Sequence, residues 1–387
     1  MLNSIRSVII LLAILFLGCN DQDLTGEKVD QIDSRLCLTL NIEPKYFDSL
    51  VSEYGDSQYI KAMYWYLLSN KENAGDFYSD LRRKKNEFNW GGIDISLAEA
   101  HLLSLLGDSD SSRNILKKAL NDFGPNHWVF FELASFSKGR ERIELLDSAM
   151  ALKPKFYRAA VAKAFCLDVI TEHKEIIAML EGNKSRDSDI EVLNFLAEAY
   201  FFKKDINRSF ELYKESVSIA PNVRAYLGIG NTYHYQFDDL GMAYHYYDLA
   251  LGIDSLSTSA IRSKGWLLFD LDSTLTAIKY FDKLKVRCSE LNEIELEEGI
   301  DFYLLAGLSE TARFFFQAAF KKFGDSPRVM GYYLILNWSA TNHEVNDLNI
   351  SSYEKKFGPI NVKWLKEKIN ELGISRRSIS VPGTEIG

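Results

Sequence analysis

A side-chain pattern that returns about every 34 residues constrains this chain more than any other feature. It reads Ser209, Tyr213, Ser216 and Pro221, then Ala243, Tyr247, Ala250 and Ser255, then Ala277, Phe281, Leu284 and Ser289, and, one residue late, Ala312, Phe316, Ala319 and Gly324. Small, aromatic and small side chains at offsets of 0, 4 and 7 lie on one face of a helix, and the fourth residue of each set stops that helix. A helix pair of this kind cannot bury its apolar face alone. Units therefore stack into an array whose core grows with each repeat and whose surface is extended and suited to binding.

The chain has 387 residues, 47% hydrophobic and 26% charged, which suits a folded protein and excludes a largely disordered one. Net charge is −9, and Arg6 is the only charged residue of the first 18, so a chain starting at Cys19 carries −10. That field repels a phosphate backbone, and the basic run Arg82-Arg83-Lys84-Lys85 reads as a solvated helix face. Nucleic acid is not an expected partner.

Residues 1–18 read as an export signal. Val8 to Leu17 is a continuous apolar run of about ten residues, too short for a bilayer, which needs about 20. Gly18 and Cys19 follow, and then the chain turns polar at Asn20-Asp21-Gln22-Asp23. Phe16-Leu17-Gly18-Cys19 resembles the lipobox of bacterial lipoproteins, with Phe16 and Leu17 where that motif usually has Leu and a small residue. The resemblance implies cleavage before Cys19 and acyl chains on it, a stable hold on a membrane of the cell envelope, the outer one rather than the inner. Residues 19–36, polar and acidic, are expected to form a flexible tether. Cys37, Cys166 and Cys288 are too far apart for a disulfide framework or a paired-cysteine metal motif.

From residue 189 the chain resembles the tetratricopeptide repeat (TPR). Leu196-Ala197 and Tyr200 stand where that family has Leu-Gly and Tyr, and Ser209, Tyr213, Ser216 and Pro221 where it has Ala, Phe, Ala and Pro. The next unit has Ile229-Gly230 and Tyr233, then Ala243, Tyr247 and Ala250, and in the third Lys264 replaces the usual Leu. The small residue lets two helices approach, the ring fills the gap, and Pro lacks the amide to continue. The implied fold is all-α, a TPR-type α-solenoid of superhelical helix-turn-helix repeats. Its expected parts are an N-terminal helical region over 37–90, degenerate repeats over 91–188, well-defined repeats over 189–326, capping helices over 327–373 and a mobile tail over 374–387.

The resemblance also implies that the first helix of each unit lines a concave face. The residues expected there are Asn194, Glu198, Phe201 and Phe202, then Asn231, His234 and Tyr235, then Arg262, Trp266, Phe269 and Asp270, then Glu297 and Asp301. Rings supply contact area and Asn amides bond an extended main chain. Only Asn231 and Arg262 are placed for a carboxylate clamp, so capture of a C-terminal tail is not expected.

Other constellations have simpler explanations. His234, Asp238, Asp239 and His245 straddle a turn and lack the i, i+4 histidine pair of a metal helix, so the aspartates read as helix caps. Glu295, Glu297, Glu298 and Asp301 read as an acidic face, and Tyr233 and Tyr247 are consumed by repeat packing. No catalytic residue, cofactor or metal is expected. The sequence points to a non-enzymatic, membrane-anchored scaffold that binds protein partners or peptide segments in the bacterial envelope. The alternative is a surface lipoprotein binding glycan or a nutrient through aromatic platforms.

Overall fold

The computed structural model describes residues 24, 26–38, 42–55, 57–182, 189–324, 326–340 and 347–375. The export signal, Cys19 and the tail from 376 onward lie outside the described residues. Contacts divide the chain into two units, Met1–Ile219 and Ala220–Gly387. Among the described residues every regular element is a helix, and none is long and apolar enough to cross a membrane.

The first unit contains α1 (Gly26–Leu38), α2 (Pro44–Tyr54), α3 (Gln58–Leu68), α4 (Ala74–Phe88), α5 (Ile93–Leu105), α6 (Ser109–Phe123), α7 (His127–Ser135), α8 (Gly139–Leu152), α9 (Tyr157–Ala164), α10 (His173–Leu180), α11 (Ile190–Phe202) and α12 (Ile206–Ile219). Consecutive helices pair as hairpins, α5 with α6, α7 with α8 and α11 with α12. Starts are set by side-chain caps: Asp108 accepts from the Ser111 amide, Asn126 from Trp128 and Val129, and Asp189 from Glu191 and Val192. The repeat positions read from sequence are interior, with Ser112, Leu116 and Ala119 buried on α6 and Leu146 and Ala149 on α8.

Two expectations fail in this unit. Most of the tether expected over 19–36 is helix: residues 26–38 form α1, which runs past its end and whose Ile32, Leu36 and Cys37 are fully buried. An i, i+4 apolar pair suffices to dock a short helix, although the segment's average composition is that of a linker. Asn194, expected on the concave face, is 0% exposed. Helix α11 packs against both α10 and α12, and Val192, Leu193, Phe195, Leu196, Ala197, Ala199 and Tyr200 are all buried with it. A helix apolar nearly all round has no face to offer at that position.

The second unit contains α13 (Val223–Tyr235), α14 (Leu240–Ile253), α15 (Thr258–Asp270), α16 (Thr274–Lys285), α17 (Glu293–Leu305), α18 (Ser309–Phe323), α19 (Pro327–Ala340), α20 (Asp347–Phe357) and α21 (Pro359–Ser375). Three hairpins use one packing device. A Cβ on Gly230 would lie 2.6 Å from the Tyr247 ring, one on Gly265 2.7 Å from Phe281, and one on Gly299 2.4 Å from Phe315. Only glycine admits a ring that close, and the ring fills the space between the helices. The third pair corrects the sequence register: Phe315 is the buried ring, and Phe316, assigned that place by the repeat, is only half-buried.

Lys264, the oddity of the third repeat, is 2% exposed yet satisfied. Its ammonium pairs with Asp248 and lies 3.8 Å from the Tyr244 ring centroid. Asp239 caps α14 by accepting from the Met242 amide at 2.9 Å, and Asn292 and Glu295 form a reciprocal capping box on α17. After the last glycine–ring hairpin, α21 buries Val362, Leu365 and Leu372, and Trp364 packs where Gly331 leaves room.

Candidate functional site

Asn231 and Tyr235 are one turn apart on α13, and Arg262 and Trp266 one turn apart on α15, so each pair shares a helix face. The two pairs meet. With Ser263 and Glu298 of α17 they line a pocket of about 350 Å³. The Tyr247 hydroxyl, on the ring fixed by Gly230, donates to Asn231 Oδ1 at 2.8 Å. That bond occupies the carbonyl end of the amide and leaves its NH₂ group to donate to a ligand. Arg262 Nε lies 2.8 Å from Glu298 Oε2, and its Nη1 lies 3.6 Å from Glu295 Oε1. Burial pushes the Glu298 carboxyl above its usual range against the opposing pull of Arg262 and a hydrogen bond from the Trp266 indole.

The rings have different surroundings. Trp266 meets Phe269, Phe281 and Phe302 edge-on at 5.6–5.9 Å between centroids. Tyr235 is 57% exposed and stacks on His234 at 4.0 Å, so one face is covered and the other is open. Burial, then the charges of Asp270 and Glu298, raise its phenol to about 12. His234 is buried beneath it, 2.9 Å from Asp270 Oδ2 through Nε2 and 3.3 Å from the Tyr247 hydroxyl through Nδ1. His234 thus supports the pocket from inside; the sequence had placed it on the surface.

Glu297 and Asp301, one turn apart on α17, form a separate polar cluster. Asp301 is buried, accepting from the Tyr332 hydroxyl at 2.9 Å and the Lys368 ammonium at 2.8 Å, which corrects its expected outward position. Glu297 lies 4.0 Å from Arg328, and burial raises its carboxyl to about 7. In the first unit Phe201 and Phe202 are half-buried and pack edge to face at 5.6 Å, with Glu198 half-buried beside them.

A second pocket, of about 380 Å³, lies in the first unit among Leu24, Gln58, Asp94, Asp33, His127 and Trp128. Asp33 Oδ1 accepts from the Trp128 indole at 2.6 Å and from Tyr59 at 3.2 Å, and lies 3.1 Å from His127 Nε2, while Lys153 Nζ lies 2.8 Å from Oδ2. Burial alone would raise this carboxyl, but His127, Lys153 and Trp128 outweigh it and hold it well below the carboxylate range. Asp33, Cys37 and His127 bring their oxygen, sulfur and nitrogen within 4.8 Å of one another, as a metal would require. The set is poorly primed for one: burial pushes the Cys37 thiol far up, and Lys153 already supplies the counter-charge. The cluster acts as a latch that ties α1 to the residues around it. Nothing in the sequence announced it, because its members lie up to 120 residues apart.

The tetratricopeptide repeat family profile matches residues 190–223, the α11–α12 hairpin. The fold is all-α and of the TPR type. No curated protein sequence matches the chain. Among solved structures it is similar to a monomeric mutant of IFIT1 with Gppp-AAAA, at 13% identity, 85% coverage of each chain and a TM-score of 0.49. It is also similar to the Cut9–Hcn1 hetero-tetramer of the APC/C, at 14% identity over 89% of this chain and 69% of that one with a TM-score of 0.47. Yeast Tom70 follows at 13% identity, 82% and 69% coverage and a TM-score of 0.37. In TPR terms the second-unit pocket joins the first helices of successive hairpins, and Glu298, which stands directly before Gly299 as Lys264 stands before Gly265, is the lining residue that sequence reasoning left among surface charges.

Proposed function

We propose that this chain is a non-enzymatic TPR scaffold that binds protein partners through the pocket of its second unit and is held on a membrane of the bacterial envelope, the outer one, by lipid on Cys19. The observation that carries the binding half is the convergence of Asn231, Tyr235, Arg262 and Trp266 on one pocket. An amide donor, an ion pair and two rings recognise main chain and side chains; they do not set a nucleophile beside a base. The anchoring half is supported by the Phe16-Leu17-Gly18-Cys19 sequence.

In-cell crosslinking and mass spectrometry, comparing wild type with the Asn231→Ala, Trp266→Ala double variant at matched abundance and helicity, tests the first half. Envelope proteins captured by wild type and lost from the variant are expected, and equal capture by both would overturn the pocket as the binding surface. For the second half, Cys19→Ala should move the protein from the membrane to the soluble fraction and abolish incorporation of a clickable fatty acid. Unchanged fractionation would remove the lipid anchor.

A further inference from the structure

The second-unit pocket carries negative charge that its own residues do not balance. Glu298 lines it, Glu295 and Asp270 stand behind it, and among the lining residues Arg262 is the only cation. Arg262 already pairs with Glu298 through Nε at 2.8 Å, and Glu295 lies 3.6 Å from its Nη1, so its single positive charge is shared between two carboxylates. The upward displacement of the Glu298 carboxyl has the same meaning: one guanidinium does not replace the hydration that burial removed. Tyr235, with an open face, and Trp266 line the pocket together with this carboxylate. Aromatic rings next to an under-compensated carboxylate favour a positive charge, and guanidinium, weakly hydrated and planar, suits them best.

We propose that this pocket receives the arginine or lysine side chain of an extended segment of a partner protein, with Glu298 as counter-ion, Tyr235 and Trp266 as walls, and the Asn231 amide donating to the adjoining main-chain carbonyl. The inference rests on the scaffold reading above and narrows its partner. A segment presenting a carboxylate would meet Glu298 at the same place and be repelled.

The test uses four blocked pentapeptides that differ only in a central Arg, Lys, Leu or Glu, titrated to millimolar concentration into the full chain. Binding is read from the Trp266 indole N–H resonance, assigned with Trp266→Phe. The Arg and Lys peptides should shift it saturably, bind at least about tenfold more tightly than the Glu peptide, and weaken as salt is added. Glu298→Gln, isosteric and checked by circular dichroism, should lose about tenfold for Arg and Lys and leave the Leu peptide unchanged. Arg262→Gln should tighten the Arg peptide, whereas a carboxylate clamp would bind the Glu peptide and lose it on Arg262→Gln. Equal binding of Glu and Arg peptides, an unaffected Glu298→Gln, or no saturable shift with any peptide would overturn the proposal. Each result leaves the scaffold reading to its crosslinking test, where a partner captured without a basic segment sinks this inference alone.

Discussion

Replacing Glu297 with Gln should stabilise the second unit at high pH and leave it unchanged in acid. The Glu297 side chain is 13% exposed, and burial is the main cause of its rise from 4.5 to about 7. Arg328 at 4.0 Å and Lys368 pull it down; Glu293 and Asp301 push it up. Between these two pKa values the folded chain keeps the proton and the unfolded chain releases it. Stability therefore falls as pH rises through that window. Holding the carboxyl near 7 instead of 4.5 costs about 3 kcal/mol once it is ionised. Below pH 4 the protonated acid and the amide are close equivalents, so the two proteins should differ by less than about 0.5 kcal/mol. At pH 8 the Gln variant should be more stable by about 3 kcal/mol. Urea unfolding followed by far-ultraviolet circular dichroism at several pH values gives the difference directly, and because both proteins carry Asp301, Lys368 and Glu293, the comparison isolates Glu297. A flat difference across pH, or a variant that becomes the less stable one in alkali, would refute the reasoning and show that the pair with Arg328 outweighs desolvation.

Further outcomes follow from the packing. Gly299→Ala should destabilise the second unit by about 1–3 kcal/mol in urea unfolding, because its Cβ would lie 2.4 Å from Phe315, while Gly252→Ala, with nothing within 4 Å, should be neutral or slightly stabilising. Asp33→Ala should cost about 3 kcal/mol in the first unit by stranding Lys153, and the stability Asp33 contributes, present above about pH 4, should be lost as wild type is acidified through its depressed pKa. In a Cys19→Ser background, thiol titration should modify half-buried Cys166 first. Cys37, fully buried and shifted far up, and Cys288, pushed up to about 11, should react only on unfolding.

What the sequence disclosed and what it hid separate along a physical line. Glycine opposite ring is a local device repeated at constant spacing, so Gly230 with Tyr247, and the ring Phe281 of the next unit, were legible from residue type alone, while Gly265 opposite Phe281 emerged only in the packing. The same logic slipped by one residue at Phe315 because two neighbouring phenylalanines both satisfy the pattern and only the packing chooses between them. Interior polar groups were illegible for the opposite reason. Asp33 with Lys153, His234 with Asp270, and Asp301 with Lys368 are joined across 36 to 120 residues, and a buried charge is tolerated only where a distant partner meets it. Of the face positions transferred from the TPR pattern, Asn231, Tyr235, Arg262 and Trp266 line the pocket, whereas Asn194, His234 and Asp301 are buried. The pattern reports which way a helix position points and carries no information on what packs outside it. Asn194 is buried on the twice-packed α11, Asp301 meets Lys368 from α21, and His234 lies beneath Tyr235. A TPR face therefore stays open only where later elements leave it uncovered, which in the second unit is the pocket lined from α13, α15 and α17.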